Sequence, residues 1–314
     1  MPDEAWPIKR AFNWTRDYLK EQGDDQARLS TEWLLSHACG LSRIEVYTQF
    51  DKPLSSDERD HLREAVRRRA AGEPLQYITG EVGFRHLTLA VRPGVLIPRP
   101  ETEVLVDLAL QALPSAREGH ELWLLDLCTG SGCVGLALAD ERPDLRVTAT
   151  DICPQAVALA SENATTCNLD NRFTAIRADL FSSFDKDQEL PKHCYDLIVA
   201  NPPYIPSSVA GMDALPKEVA DFEPHLALDG GIDGLDFARH ILEQAPNYLQ
   251  QPEQQSERMS GQNTRQGTGG IIMELDVRNV HLATDFAVQL NRYKKIDVRS
   301  DLSGRERFVM AMLD

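Results

Sequence analysis

Apolar positions in the first seventy or so residues recur at three- and four-residue intervals with charged residues between them. That is the spacing of amphipathic helices. Trp6–Lys20, Ala27–Cys39 and Ser55–Ala71 are predicted as helices. Ser30 or Thr31 is expected to cap the second, and Ser55-Ser56-Asp57-Glu58 carries the start signal of the third. Gly72-Glu73-Pro74 interrupts the pattern, so residues 1–75 are expected to form a small helical domain.

Beyond it the period shortens. Phe84–Val91 reads as a strand, Pro93-Gly94 as a turn and Val95-Leu96-Ile97 as a returning strand, which makes residues 76–100 a β-hairpin linker. A helix is expected from Pro100 through Ala112. From residue 121 short apolar runs alternate with helical stretches. The strand candidates are Leu122–Leu127, Arg146–Asp151, Phe173–Ala178, Asp196–Ala200 and Ile271–Leu275; the helices are Cys133–Asp140, Pro154–Ala164 and Leu235–Leu249. Such alternation predicts a doubly wound, mostly parallel α/β sheet over residues 101–314. Lys295–Arg299 and Arg307–Met312 are too close for a crossover helix, so they are expected to form an antiparallel edge. Residues 250–269, rich in Gln, Ser, Gly and Asn, are expected to be a mobile loop.

Composition narrows the function class. Of 314 residues 42% are apolar, which is ordinary for a soluble globular chain, and no apolar stretch reaches the length of a membrane span. The acidic start, Met1 to Trp6, lacks a signal-peptide core. A cytoplasmic protein with no membrane partner is expected. The net charge of −16 argues against gripping nucleic acid through its phosphates. Cys39, Cys128, Cys133, Cys153, Cys167 and Cys194 form no CxxC pair and no zinc-type spacing with His. Reduced thiols and no metal site are expected.

Candidate chemistry gathers at the predicted strand ends. Asn201-Pro202-Pro203-Tyr204 follows the apolar run ending at Ala200. The prolines lack N–H groups, so the segment offers the Asn201 side-chain carbonyl and the Pro202 carbonyl with almost no competing donors. Beside the flat Tyr204 ring, these acceptors suit a planar group carrying an NH2: a carboxamide or a base amine. Asp126-Leu127-Cys128-Thr129-Gly130-Ser131-Gly132 runs from a strand into a helix, where glycines let a ligand approach the backbone. Asp151 ends the next strand, placed either to accept from ribose hydroxyls or to cap the helix before Pro154. Asp179 and Leu180 end the third, where a carboxylate can accept an adenine amine and an apolar neighbour can cover the ring; a plain loop role for Asp179 is equally open.

The glycine turn, Asp151, Asp179 and Asn201–Tyr204, in this order, resemble the class I S-adenosylmethionine-dependent methyltransferases with their Rossmann-like sheet. Gly72–Gly80, Val95–Glu103, Glu223-Pro224, Ala227-Leu228, Gly230-Gly231, Asp233–Leu235, Asp301–Gly304 and Arg307 are similar to the protein-(glutamine-N5) methyltransferases of peptide chain release factors, the PrmC/HemK family. The resemblance spans almost the whole chain. It implies S-adenosylmethionine held by Asp126, Cys128, Thr129, Gly130, Ser131, Gly132, Asp151, Asp179, Leu180 and Asn201. It implies methylation of the glutamine in a release factor's Gly-Gly-Gln motif, with Asn201, Pro202, Pro203 and Tyr204 as catalytic and substrate-binding residues and Arg99 and Glu101 beside them. A monomer is expected.

Two departures stand out. Cys128 occupies a position where the family has glycine, so a positive φ there would strain the loop and modestly affect cofactor affinity. Residues 250–269 exceed the family's short turn, and Glu274–Asn279 matches only loosely; neither is expected to touch the chemistry directly. Methylation of a ribosomal protein glutamine is the near rival, against which Pro100-Glu101-Thr102 stands. Methylation of adenine or an RNA base is the more distant one. Arg59, Arg63 and Arg67 share a helix face, either as a solvated face paired with Asp60 and Glu64 or as a docking stripe for the release factor.

Overall fold

The computed structural model describes residues 6–116, 121–207, 215–250 and 269–313. The chain divides into two compact units, Met1–Glu81 with Pro216–Phe222, and Val82–Leu215 with Glu223–Asp314.

The first unit is helical. Its helices α1 (Ile8–Glu21), α2 (Ala27–Cys39), α3 (Arg43–Thr48), α4 (Ser56–Ala70) and α5 (Leu75–Thr79) share a core that includes Ile8, Leu19, Leu34, Leu35 and Val46. The start of α4 follows its sequence signal. Glu58 N–H donates to the Ser55 hydroxyl at 3.1 Å, and the Glu58 carboxylate accepts from Ser55 N–H at 2.7 Å, a reciprocal cap. The cap expected at Ser30 or Thr31 is overturned: α2 begins at Ala27, and both residues lie inside it. Their hydroxyls are taken locally, Ser30 donating to Asp24 and Thr31 to the Ala27 carbonyl, each at 2.7 Å. Helix α3 escapes a periodicity search because it spans under two turns; its signal is the Ser42–Glu45 capping box. A further short helix, Lys217–Phe222, belongs to the same unit.

The second unit opens with a hairpin of β1 (Glu81–Phe84) and β2 (Leu87–Ala90). The chain therefore reverses at Arg85-His86, and the turn expected at Pro93-Gly94 joins no strands. Arg85 takes a left-handed φ of 50°. It is held there by its N–H on the Glu103 carboxylate at 3.0 Å and by its guanidinium on Asp107 and Glu141. Val95 and Ile97 are buried without strand pairing, so their alternation reports packing rather than a ladder.

The main sheet contains β3 (Leu122–Leu127), β4 (Leu145–Asp151), β5 (Phe173–Asp179), β6 (Ser182–Ser183), β7 (Leu197–Ala200), β8 (Gly270–Glu274), β9 (Lys295–Ser300) and β10 (Glu306–Met312). Their order is β6-β5-β4-β3-β7-β8-β10-β9. The central strands pair in parallel, while β10 pairs antiparallel with both β8 and β9. All four residues of β7 are buried, as a strand covered on both faces requires. Helices α6 (Glu103–Ala112), α7 (Cys133–Glu141) and α8 (Pro154–Thr166) precede or follow these strands. The helix expected over Leu235–Leu249 ends at Gln244 and tightens into a 3₁₀ turn, Ala245–Asn247. Pro246 lacks the N–H needed to continue it. The mobile loop expected at 250–269 falls almost wholly outside the described residues. Among the described residues no helix is long and apolar enough to cross a membrane.

The topology places the crevice. From β3 the chain moves outward to β4 and β5, then returns to β7 on the other side of β3. The C-terminal ends of β3 and β7 thus flank a switch point, where loops diverge and leave room for a ligand.

Candidate active site

A cleft of about 1070 Å³, its open mouth included, lies over those strand ends. Its wall includes Arg99, Asp126, Cys128, Thr129, Gly130, Ser131, Asp151, Asp179, Leu180, Asn201 and Pro203. Four residues named from the sequence do not line it. Gly132 and Pro202 are buried, Tyr204 is half-buried, and Glu101 is exposed.

The turn between β3 and α7 is shaped by three left-handed residues, Cys128 (φ 57°), Gly130 (φ 57°) and Gly132 (φ 85°). A Cβ on Gly132 would lie 3.0 Å from Leu136 and 3.2 Å from Ala160, so these neighbours would have to give by a few tenths of an ångström on top of the φ penalty. Gly130 N–H donates to Asp151 Oδ2 and Cys153 N–H to Asp151 Oδ1, each at 2.9 Å. One carboxylate therefore ties the turn to the start of α8 while keeping lone pairs for a ligand. Asp126 accepts from the Thr129 hydroxyl at 2.6 Å and from Gly135 N–H at 3.1 Å. Burial pushes its pKa up to about 7 despite these bonds, and the charge of Asp151 adds to the rise. Burial raises Asp151 too. The Cys128 thiol is held protonated, first by burial and then by Asp151, Asp126 and Asp179.

Asn201–Tyr204 leaves the end of β7 and is clamped by its neighbours. Asn201 Nδ2 donates to the Thr102 hydroxyl at 3.3 Å. Asn279 Nδ2 donates to the Tyr204 carbonyl at 2.9 Å. A Cβ on Gly230 would sit 2.8 Å from the Pro203 carbonyl oxygen, and one on Gly234 2.3 Å from the Tyr204 carbonyl oxygen. Those glycines let two backbones touch. Arg99 pairs with the buried Glu223 at 2.5 Å. Sequence reasoning missed Thr102, Glu274 and Asn279. The available signal was an acid, Glu274, closing the otherwise apolar β8.

Among the described residues Arg99 is the one basic side chain on the lining, which otherwise combines the carboxylates of Asp126, Asp151 and Asp179 with apolar Leu96, Ile97, Val134, Ile152, Leu180 and Phe237. Such a cleft suits a ligand with cationic and hydroxyl groups on one part and a flat apolar ring on another.

Known proteins resemble this chain over most of its length. A family model described as the PrmC N-terminal domain matches residues 10–80, and one described as the methyltransferase small domain matches residues 100–233. A release factor glutamine methyltransferase of Geobacter sulfurreducens is 47% identical over 246 residues, 78% of this chain and 81% of that protein. One from Rhodopirellula baltica is 35% identical over 98% of this chain and 96% of its own length. The human MTRF1L release factor glutamine methyltransferase is 33% identical over 96% and 86%. Among solved structures, the hMettl16 catalytic domain in complex with a MAT2A 3′UTR hairpin has a TM-score of 0.50 at 14% identity, covering 79% of this chain and 81% of that one. At that identity the likeness is one of fold.

Proposed function

Because this chain belongs to the release factor glutamine methyltransferase family, we propose that it transfers the methyl group of S-adenosylmethionine to the side-chain nitrogen (N5) of the glutamine in a release factor's Gly-Gly-Gln motif. The cleft fits that cofactor by its donor set: Asp151 for ribose hydroxyls, Asp179 for the adenine amine, Leu180 and Ile152 against the ring, and Asp126 with the turn residues Cys128–Ser131 near the amino-acid end. When bound, the cofactor supplies a methyl group that is already a strong electrophile.

The chain's task is to activate a poor nucleophile, since an amide nitrogen shares its lone pair with its carbonyl. Asn201 Oδ1 and the Pro202 carbonyl each accept one N–H of the substrate amide. Held by both hydrogens, the nitrogen directs its lone pair at the methyl carbon and is favoured in its pyramidal, reacting form. Positioning of this kind can supply on the order of 7–11 kcal/mol. Tyr204, off the cleft wall in the substrate-free protein, is assigned to the carboxamide plane once the substrate side chain enters. No strong base is needed, because an N-methylated amide cation is very acidic. Arg99 and Glu101 border the substrate.

The observation that carries the reading is Asn201: its Nδ2 donates one hydrogen to Thr102, which leaves Oδ1 without a partner among the described residues and available as an acceptor. The same reading makes the protein a monomeric cytoplasmic enzyme acting on protein rather than nucleic acid, in keeping with a net charge of −16. Mass spectrometry of a release factor incubated with enzyme and cofactor tests it. One added methyl on the Gly-Gly-Gln glutamine is expected, and its absence, or methylation of a nucleic acid instead, overturns the assignment.

A further inference from the structure

Thr102, on the cleft wall beside Asn201, and Glu274, off that wall, have no part in the grip described above. Thr102 ends the 3₁₀ turn Pro100–Thr102, and Glu274 ends β8, whose Met273 pairs with Ala200 of β7. Each side chain is 1% exposed. The Thr102 side chain hydrogen-bonds the Glu274 carboxyl group, and its hydroxyl oxygen accepts from Asn201 Nδ2 at 3.3 Å. Glu274 Oε2 has no hydrogen-bond partner among the described residues.

We propose that Thr102 and Glu274 are positioning residues that decide which end of the Asn201 amide faces the cleft; this rests on Asn201 gripping the substrate amide as proposed above. A threonine hydroxyl has one hydrogen. With Glu274 ionised, that hydrogen is committed to the carboxylate, so Thr102 can only accept from Asn201. Nδ2 must turn inward and Oδ1 outward. With Glu274 protonated, its own O–H can donate to Thr102, which frees the Thr102 hydrogen for Asn201 Oδ1. The amide then reverses and shows the substrate a donor where it needs an acceptor. Arg307 and Arg99 favour the ionised form of Glu274, Glu101 opposes it, and Tyr204 and Cys133 also lie within reach of its charge. Burial outweighs these and lifts Glu274 to about 7.

The test compares Thr102→Val, Thr102→Ser and Glu274→Gln with the native enzyme, reading kcat, both KM values and the Asn201 side-chain NH2 resonance in 15N-labelled, substrate-free protein. Thr102→Val is expected to lower kcat on the order of 100-fold and to shift the Asn201 resonance, with the cofactor KM unchanged. Thr102→Ser restores both. In the native enzyme kcat and the resonance rise together through a neutral-pH transition that Glu274→Gln removes. The proposal is overturned if Thr102→Ser loses as much as Thr102→Val, if Thr102→Val leaves kcat intact, or if the resonance ignores pH. A native enzyme that methylates no release factor refutes the functional reading, while the resonance still decides the relay.

Discussion

Asn279 and Tyr204 are joined by one hydrogen bond, 2.9 Å from the Asn279 amide nitrogen to the Tyr204 carbonyl oxygen, and the same nitrogen donates to the Gly234 carbonyl at 3.3 Å. A single buried side chain thus fastens the loop after β7 to the glycine turn before the helix Asp236–Gln244. This matters because Asn201–Tyr204 has two prolines and few donors with which to hold itself in place. Asn279→Leu keeps the bulk and removes the donor. It leaves two carbonyls without their partner, a loss of about 1–3 kcal/mol for each that is buried. Urea denaturation is expected to show that loss, and kcat to fall with little change in cofactor affinity. Full activity in Asn279→Leu would mean that the loop holds its shape without the bond.

Two glycines with positive φ should respond very differently to alanine. Gly234 has φ 76° and a hypothetical Cβ 2.3 Å from the Tyr204 carbonyl oxygen; Gly94 has φ 93° and nothing within 4 Å. Gly94→Ala meets only the left-handed penalty, about 1–2 kcal/mol. Gly234→Ala must also push the Tyr204 backbone aside, so methyl transfer is expected to vanish while Gly94→Ala stays active. Equal activity in the two variants would show that the close approach at Tyr204 is dispensable.

The centre of the sheet was legible because β3, β7 and β8 are short, largely apolar runs, and burial on both faces leaves no other pattern for β7. The cleft was legible because its residues lie at strand ends in contiguous stretches, Asp126–Gly132 and Asn201–Tyr204. Thr102 and Asn279 were not, since they act on Asn201 and Tyr204 across 99 and 75 residues of chain, and Glu274 comes near them only once β8 lies beside β7. The hairpin was misplaced for a related reason. Arg85-His86 is no turn by composition, and it becomes one through bonds from Arg85 to Glu103, Asp107 and Glu141.

Cys128 carries a φ of 57° in the turn that borders the cleft. Replacing it with glycine removes a strain of about 1–2 kcal/mol but restores freedom to the unfolded chain worth about 0.4–1 kcal/mol. Thermal stability is therefore expected to rise slightly or stay level, and S-adenosylmethionine affinity to change by less than about tenfold. Cys128→Val tests the cause. A β-branched residue tolerates positive φ poorly, so a loss of about 1–3 kcal/mol and weaker cofactor binding are expected, measured by calorimetry.

Asp126 makes stability depend on pH in a definite direction. Its pKa is 3.8 ordinarily and about 7 in the folded protein, so the native state holds a proton that the unfolded chain releases. The associated stability is present at low pH and is lost as pH rises through that window. Asp126→Asn keeps an acceptor for Thr129 and Gly135 without the titration. Relative to this variant, the ligand-free native protein is expected to lose on the order of a few kcal/mol between pH 4 and pH 7. Glu274 contributes with the same sign, which is why the difference between the two proteins, followed by thermal melts, is the quantity to measure. A native protein that gains stability over that range relative to Asp126→Asn would place the Asp126 pKa below its ordinary value.

The arginine face of α4 separates a solvated surface from a docking one. Arg63 pairs with Asp60 and Arg67 with Glu64, both at 2.6 Å on the same helix and with all four side chains more than half exposed. Solvent screens such exposed pairs, so they add little to stability. Arg69 differs: its side chain is 13% exposed and bridges Asp24 at 2.9 Å and Glu218 at 2.8 Å. Removing it strands two acids in partly buried positions, a loss of about 3 kcal/mol or more. Reversing the charges at Arg63 and Arg67 is expected to leave KM for the release factor unchanged and stability nearly so, whereas Arg69→Ala destabilises the helical unit. A large rise in KM for the double reversal, with cofactor KM constant, would instead make this face the place where the protein substrate docks.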